Sequence, residues 1–344
     1  MAASKNSLSK NRLQHAGWLR RLSMRSRFFL TRAIFRSRLM NAKPLFSLVL
    51  LVGASLCFAG GKYWNVDKGG TTMKFLSLAT SPRSAALAGA GVATPQSFAE
   101  VTRNPLATTS QKSSQLGISH VLFSDNVDAK LTSVYFGHSF SYVNASAALE
   151  YLGYGDIEGR DDEGFKLEDY GAMAWAAQLG VGSNPSIFNW ALTARFASQT
   201  IDNSTAIAVL ADGGASLRLN RYFAFGATVT NFGWVSDYES EEESAPMALQ
   251  AGISGTHPIL DIFDLALHAD AYRRADYDAE WRFGSELIYK KSLFFRVGYA
   301  YKPNDDNGVS AGLGIVFGRF QFDYAYQSNP VLDGNHLFHL GIGF

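Results

Sequence analysis

The sequence predicts an all-β fold: a transmembrane antiparallel β-barrel of about fourteen strands with an N-terminal hatch or plug segment. Three observations carry that prediction. Near the C-terminus, Phe320, Phe322, Tyr324 and Tyr326 fall on one side of a run whose other side is Arg319, Gln321, Asp323, Ala325 and Gln327. This is period two, the mark of a strand with one apolar and one polar face. It recurs in Phe295/Val297/Tyr299/Tyr301, in Val309/Ala311/Leu313/Ile315/Phe317 and in Phe338/Leu340/Ile342. The runs approach the ~9–11 residues that a tilted strand needs to cross a bilayer, where strands of soluble sandwiches average about 5–6. Second, short and long connections alternate along the chain. Third, an export-type leader precedes a body that has no apolar helix.

The leader comes first. Residues 1–59 carry eleven Lys and Arg and no Asp or Glu, leaving 20 basic against 30 acidic residues from Gly60 onward. The body is therefore acidic, and a nucleic-acid partner is excluded. Leu45 to Leu56 is a short apolar core behind Lys43, and Cys57 and Ala59 occupy the −3 and −1 positions of a cut before Gly60. That is the plan of a secretory signal peptide. A spanning anchor would need ~20 apolar residues. A lipoprotein cut before Cys57 is disfavoured by bulky Leu56, and a transit peptide by the secretory core that follows. Met40 opens a signal peptide of ordinary length and is an alternative start, which makes 1–39 an extension. Cys57 is the sole cysteine, so a mature chain has no disulfide, no thiolate metal site and no cysteine nucleophile. After the leader no stretch approaches 18 apolar residues, and the expected location is an outer membrane.

Residues 60–113 do not alternate and form the expected hatch, folded into the periplasmic mouth or the lumen. Ser81 ahead of Pro82 reads as an N-cap with Pro at the first helical position, which predicts a short helix over 82–90. Asn104-Pro105 marks a turn.

The barrel is expected over 114–344. Strands are predicted over 115–123, 128–138, 139–153, 170–182, 187–199, 205–217, 222–232, 247–256, 262–273, 277–290, 293–301, 308–317, 319–327 and 336–344. Their even number fits a single-chain bacterial barrel. Connections after even strands are tight, such as Gly182-Ser-Asn-Pro185, Asn220-Arg221, Lys290-Lys-Ser292 and Gly318. Long acidic ones follow odd strands, at 154–169, 233–245 and 302–307. Short periplasmic turns alternating with longer outer loops give that pattern and put the C-terminus on the periplasmic side.

Faces follow from the register. In 277–289 the outward set is Tyr277, Ala279, Trp281, Phe283, Ser285, Leu287 and Tyr289. Asp278, Glu280, Arg282 and Glu286 then face the lumen, since Arg or Lys at mid-membrane would cost about 2–4 kcal/mol. By the same logic Phe188, Trp190, Leu192, Ala194 and Phe196 face outward and Arg195 inward. Arg296, Arg319 and Asp323 join the lumen-facing charges, with Asp264 and Asp270. Such charges either line a polar path or pair with each other and the hatch in a closed lumen. Trp281, Tyr299, Tyr301, Tyr326 and Phe344 suit interfacial girdles.

The block Ala85-Ala-Leu-Ala-Gly-Ala-Gly-Val-Ala93 followed by Arg103-Asn-Pro-Leu106 resembles the opening of the PorV/PorQ family, relatives of FadL-type barrels. Gly213-Gly-Ala-Ser-Leu-Arg-Leu219 through Gly226-Ala-Thr-Val-Thr-Asn-Phe-Gly233, then Phe295-Arg-Val-Gly-Tyr299, Gly312-Leu-Gly314 and Asp323-Tyr-Ala-Tyr326, resemble its middle and closing strands. Arg103 departs from the usual aromatic, Leu106-Ala107 from Ala-Gly, and His339 from the Gly of the terminal signal. The resemblance spans most of 73–344 and makes Asn104 and Pro105 a hatch motif. It implies a component of type IX secretion that handles exported cargo, or a FadL-like channel for hydrophobic small molecules. Ile342 and the terminal Phe344 read as a barrel assembly signal. The expected partners are outer-membrane lipid, the barrel assembly machinery, and either secreted cargo proteins or hydrophobic small molecules.

No enzyme and no cofactor is expected. Gly308-Val-Ser310-Ala-Gly312 matches a nucleophile elbow in letters, yet lies inside an alternating strand with no helix after it. Gly89-Ala-Gly91 lacks a βαβ unit and an acidic partner. The acidic runs 156–163 and 239–244 have no EF-hand spacing and read as solvated outer loops. His268, His336 and His339 are scattered over different strands and read as lumen or interface residues rather than a metal cluster. A plain porin is disfavoured by the fifty-residue hatch.

Overall fold

The computed structural model describes residues 66–344, apart from 112, 124–127, 161–162, 167, 221, 237–243, 304 and 329–333. The leader, Met40, Cys57 and the run 239–243 lie outside the described residues.

Fourteen strands close into one antiparallel barrel in sequential order. They are β1 (Gln115–Leu122), β2 (Lys130–Ser139), β3 (Val143–Ile157), β4 (Tyr170–Ser183), β5 (Phe188–Ile201), β6 (Ser204–Arg218) and β7 (Ala224–Val235). They continue with β8 (Ala248–Leu260), β9 (Phe263–Arg274), β10 (Glu280–Tyr289), β11 (Leu293–Tyr301), β12 (Gly308–Phe317), β13 (Phe320–Gln327) and β14 (Asn335–Gly343). The seam joins β1 to β14, with Gln115 opposite Gly343 and Leu122 opposite His336. Closure gives every strand two neighbours, the condition for backbone to sit in hydrocarbon.

The alternation holds as a physical division. Trp281, Phe283, Phe295, Val297, Leu313, Ile315 and Phe322 are exposed on the outer surface. Their neighbours Glu286, Arg296, Ser310 and Asp323 are buried inside. Phe196, Leu192 and Trp190 are likewise exposed around a buried Arg195. Strands β11 and β12 have the ends that alternation predicts. Strand β3 starts only at Val143, because 140–142 form the tight connection, closed by Phe140 N–H donating to Val143 O at 2.9 Å.

Two of the expected lumen charges are placed differently. Strand β10 begins at Glu280, so Asp278 lies in the 275–279 connection and is exposed, with Tyr277 and Ala279 beside it. The chain turns there because Tyr277 N–H bonds back to Arg274 O and Ala275 N–H to Met247 O, which takes those amides out of the β10 ladder. Arg319 is exposed in the two-residue Gly318–Arg319 turn, and β13 starts at Phe320. Alternation was carried into the turn, by three residues ahead of β10 and by one ahead of β13. The connection-length rule also has an exception: β5 and β6 join through Asp202-Asn203 alone, at the long-loop end.

The segment before β1 threads the barrel from end to end. At the long-loop end, Gly69 N–H donates to Asp276 O and Thr72 N–H to Ser244 O. At the other end, Ser114 and Phe344 exchange backbone hydrogen bonds of 3.1 and 2.9 Å. Between them the plug holds one short α-helix, α1 (Pro82–Ala86), and three 3₁₀ turns at Lys74–Ser77, Phe98–Thr102 and Pro105–Ser110. Ser81 caps α1 and Pro82 occupies its first turn. The helix stops at Ala86 rather than continuing to residue 90, because Ala88 (φ 53°) and Gly89 (φ 81°) turn left-handed. Leu76, Ala86, Leu87 and Leu106 are fully buried between plug and wall.

Candidate functional site

The wall admits the plug because its inner face carries very small residues where the plug passes. A Cβ placed on Gly298 of β11 would lie 2.3 Å from the Leu87 carbonyl carbon, so the α1 exit rests directly on that strand's backbone. Backbone cannot yield as a side chain can, so glycine is required there. Gly226 of β7 makes the same kind of approach to Ala93.

Charge then fixes the plug in place. Arg83 of α1 donates from Nη1 to Glu100 Oε1 at 2.8 Å and from Nε to Glu286 Oε2 of β10 at 3.3 Å. Glu286 also receives Arg296 Nε of β11 at 2.5 Å, and Arg296 Nη1 reaches over β12 to Asp323 Oδ1 of β13 at 2.6 Å. The bridge over β12 passes across Gly314, whose missing side chain leaves it room. Asp323 Oδ2 lies 3.1 Å from His339 Nδ1 on β14. One chain of buried contacts thus runs from the plug to residues of four wall strands, passing over a fifth.

A second cluster holds the opposite wall. Arg195 of β5 donates to Asp212 Oδ2 (2.8 Å), to Gln178 Oε1 (2.9 Å), to Asn231 Oδ1 (2.5 Å) and to the Thr102 carbonyl of the plug (2.7 Å). Arg103 donates to the plug carbonyls of Leu78 (2.7 Å) and Phe75 (3.0 Å) and to Glu150 Oε2 of β3 (2.8 Å). Asp270 of β9 accepts the backbone N–H groups of Gly91 and Val92 at 2.8 and 2.9 Å. Buried charges need such partners, since an isolated one costs several kcal/mol to desolvate.

The expected site residues can now be placed. Asn104 accepts the Leu106 N–H at 3.0 Å and, with Pro105 at the first position, starts the last 3₁₀ turn of the plug. Both are buried. Glu286, Arg296 and Asp323 pair with each other and the plug in a filled lumen. Ile342 pairs with Leu116 across the seam and with Phe320 of β13 on its other side, and Phe344 is exposed at the rim. Arg83, Glu100, Arg195, Asp212, Glu150 and Asp270 are the partners that complete these clusters. The inward phase of Arg195 and Asp270 was legible in the strands, whereas the plug has no periodicity to announce Arg83 or Glu100.

One cavity of about 120 Å³ lies at the C-terminal end against Phe98, Tyr135, Arg319 and His339, and two lie toward the long-loop end. The outer one, about 350 Å³, lies between the plug and β9–β12 and is lined by Lys68, Tyr272, Arg274, Glu280, Arg282 and Lys302 among others. The inner one, about 140 Å³, lies between the plug and β7–β8, against Thr228, Thr230, Asn231, Ala248 and Gln250. There the β7–β8 ladder ends, at Thr230 opposite Ala248, although β7 runs on to Val235. Asn231 sits at φ 57° and a register shift separates Ala211 from Gly213 on β6, so the β6–β7 ladder is irregular beside this cavity, while Asn231 Nδ2 donates to the Pro246 carbonyl at 3.2 Å.

No protein-family model matches the chain, and no curated protein matches it significantly. Solved structures match in fold. The toluene transporter TbuX of Ralstonia pickettii superposes with a TM-score of 0.55 at 12% identity, covering 77% of this chain and 98% of its own. The CymD monoaromatic hydrocarbon channel gives 0.56 at 12% identity, over 80% and 99%. The toluene transporter TodX of Pseudomonas putida gives 0.51 at 12% identity, over 77% and 97%. At such identity the likeness establishes the fold.

Proposed function

We propose that this protein is an outer-membrane channel for hydrophobic small molecules, of the FadL-like kind, closed in the present state by its own N-terminal plug. The observation that carries this reading is the plug threaded through a fourteen-strand barrel whose fold is shared with two toluene transporters and a monoaromatic hydrocarbon channel. Buried charge clusters on both sides of the plug speak against a permanently open aqueous pore. The cavities on the long-loop side supply room for a solute without removal of the whole plug.

The test is binding. Purified full-length protein in detergent should bind a fluorescent fatty-acid-like or monoaromatic probe in a saturable way, and a competing unlabelled compound should displace it. Absence of saturable binding at every soluble probe concentration sinks the reading.

The secretion-associated reading of the PorV/PorQ kind rests on the order of the sequence motifs. Loss of surface display of C-terminally tagged cargo in a deletion strain, with probe binding absent, would favour it over the channel.

A further inference from the structure

Arg282 differs from the arginines of the buried clusters, and from Arg103, whose carboxylate partner Glu150 lies on another element. Arg83, Arg195 and Arg296 are 1–2% exposed in their side chains, and each meets a carboxylate on another element. Arg282 is 18% exposed, and its carboxylate partner, Glu280 at 2.5 Å, lies two residues away on its own strand. Its guanidinium carbon stands 3.5 Å above the centre of the Tyr272 ring. On the plug side it presses on Gly89, where a Cβ would lie 2.6 Å from Nη1. Arg282 and Tyr272 line the outer and the inner cavity alike, with Ser77, Ala88 and Gln327. The stacked pair is thus the partition between two spaces that otherwise adjoin.

From this geometry we infer that Arg282 is the gate between the outer mouth and the inner cavity of the channel, an inference that rests on the channel reading above. Closed, the guanidinium lies flat between the Tyr272 ring and Gly89. Open, it swings toward the outer cavity, where water and the exposed Asp305 and Asp306 replace its contacts. Rotation keeps its pairing with Glu280 within reach, because both side chains project from the same face of β10, two residues apart. The cost of opening is chiefly the cation–π contact, and that contact is modest where water has access. Arg83 and Arg296 have no such freedom, since leaving their places would strand buried carboxylates.

The test reads access rather than binding. Thr228 lines the inner cavity only and is 5% exposed, and the parent chain, with Cys57 as its single cysteine, sets the background. Intact cells carrying the full chain with Thr228→Cys are treated with a membrane-impermeant maleimide, with and without Arg282→Met or Glu280→Gln. Methionine keeps the length of the side chain and removes the planar cation. Both second substitutions should speed labelling about tenfold, the scale of a lost, partly desolvated cation–π contact. Ser146→Cys, deep in the lumen beside Thr108, should stay unlabelled in each background, showing that the plug is still seated. Unchanged labelling of Thr228→Cys in both backgrounds overturns the gate, and so does labelling that rises only together with Ser146→Cys. If Arg282→Met fails to fold, Glu280→Gln alone decides. Faster labelling in a protein that binds no hydrophobic probe would leave the gate standing and remove the channel reading; the reverse result would do the opposite.

Discussion

Arg83 Nε of the plug lies 3.3 Å from Glu286 Oε2 of β10, and the same oxygen accepts Arg296 Nε at 2.5 Å. One carboxylate thus ties a segment near the start of the described chain to two strands near its end. Replacing Arg83 with Met would leave Glu100 without its guanidinium partner and Glu286 with only Arg296. Loss of one partner from a buried pair costs about 3–5 kcal/mol. Urea unfolding of the refolded protein in micelles should show a loss of that size, and adding Glu100→Gln should recover part of it. Equal stability of Arg83→Met and the parent would mean that the plug is held by packing alone.

Gly298 is predicted to decide whether the plug seats at all. A methyl group there meets the Leu87 carbonyl carbon and the Ala88 nitrogen at 2.3 and 2.4 Å. Gly298→Ala should keep the barrel, whose ladder does not use that side chain, and displace α1. The expected readout is normal heat-dependent mobility on gels together with raised sensitivity of cells to large antibiotics. Unchanged sensitivity would show that α1 can shift without opening a path.

The tie at the long-loop mouth should depend on pH. Burial alone would raise the Asp276 carboxyl, but Arg274 (2.6 Å) and the Thr71 hydroxyl (2.7 Å) hold it below the usual carboxylate range. A carboxyl depressed on folding contributes stability that is present above its unfolded value, about 3.9, and is lost as pH falls through the folded value. Amide exchange at Thr71 and Thr72, corrected for its intrinsic pH dependence, should therefore lose protection on acidification below that range. Asp276→Asn should show the loss at neutral pH.

The threading predicts sidedness. Lys68 sits with the long connections and Ser113 with the C-terminus. If the long loops face outward, Lys68→Cys is labelled on intact cells by an impermeant maleimide, and Ser113→Cys only after lysis. The opposite pattern would invert the barrel.

Phe344 separates assembly from stability. Its backbone closes the seam with Ser114, while its side chain is 59% exposed. Phe344→Ser should therefore change the unfolding free energy by no more than about 0.5 kcal/mol and still lower the amount of folded barrel in cells. Unchanged amounts would remove the assembly-signal role from this residue.

Alternation by itself determined the barrel: the even strand number, the outward set around Trp281 and Phe283, and the inward phase of Glu286, Arg296 and Asp323. Those follow from sequence because side-chain direction in a strand is a local, period-two property, and charge is costly on a lipid-facing surface. The tertiary structure alone decided the rest. The plug has no period, so nothing local revealed that it runs from the long-loop mouth to the β1 end, or that Arg83 would find Glu286 203 residues away. Asp278 and Arg319 left the lumen because backbone hydrogen bonds end strands, and alternation continues to read through a turn that it cannot see. Arg282 was legible as an inward charge. That it alone among the described arginines lines both long-loop cavities, stacked on Tyr272, depends on how β9, β10 and the plug come together in space.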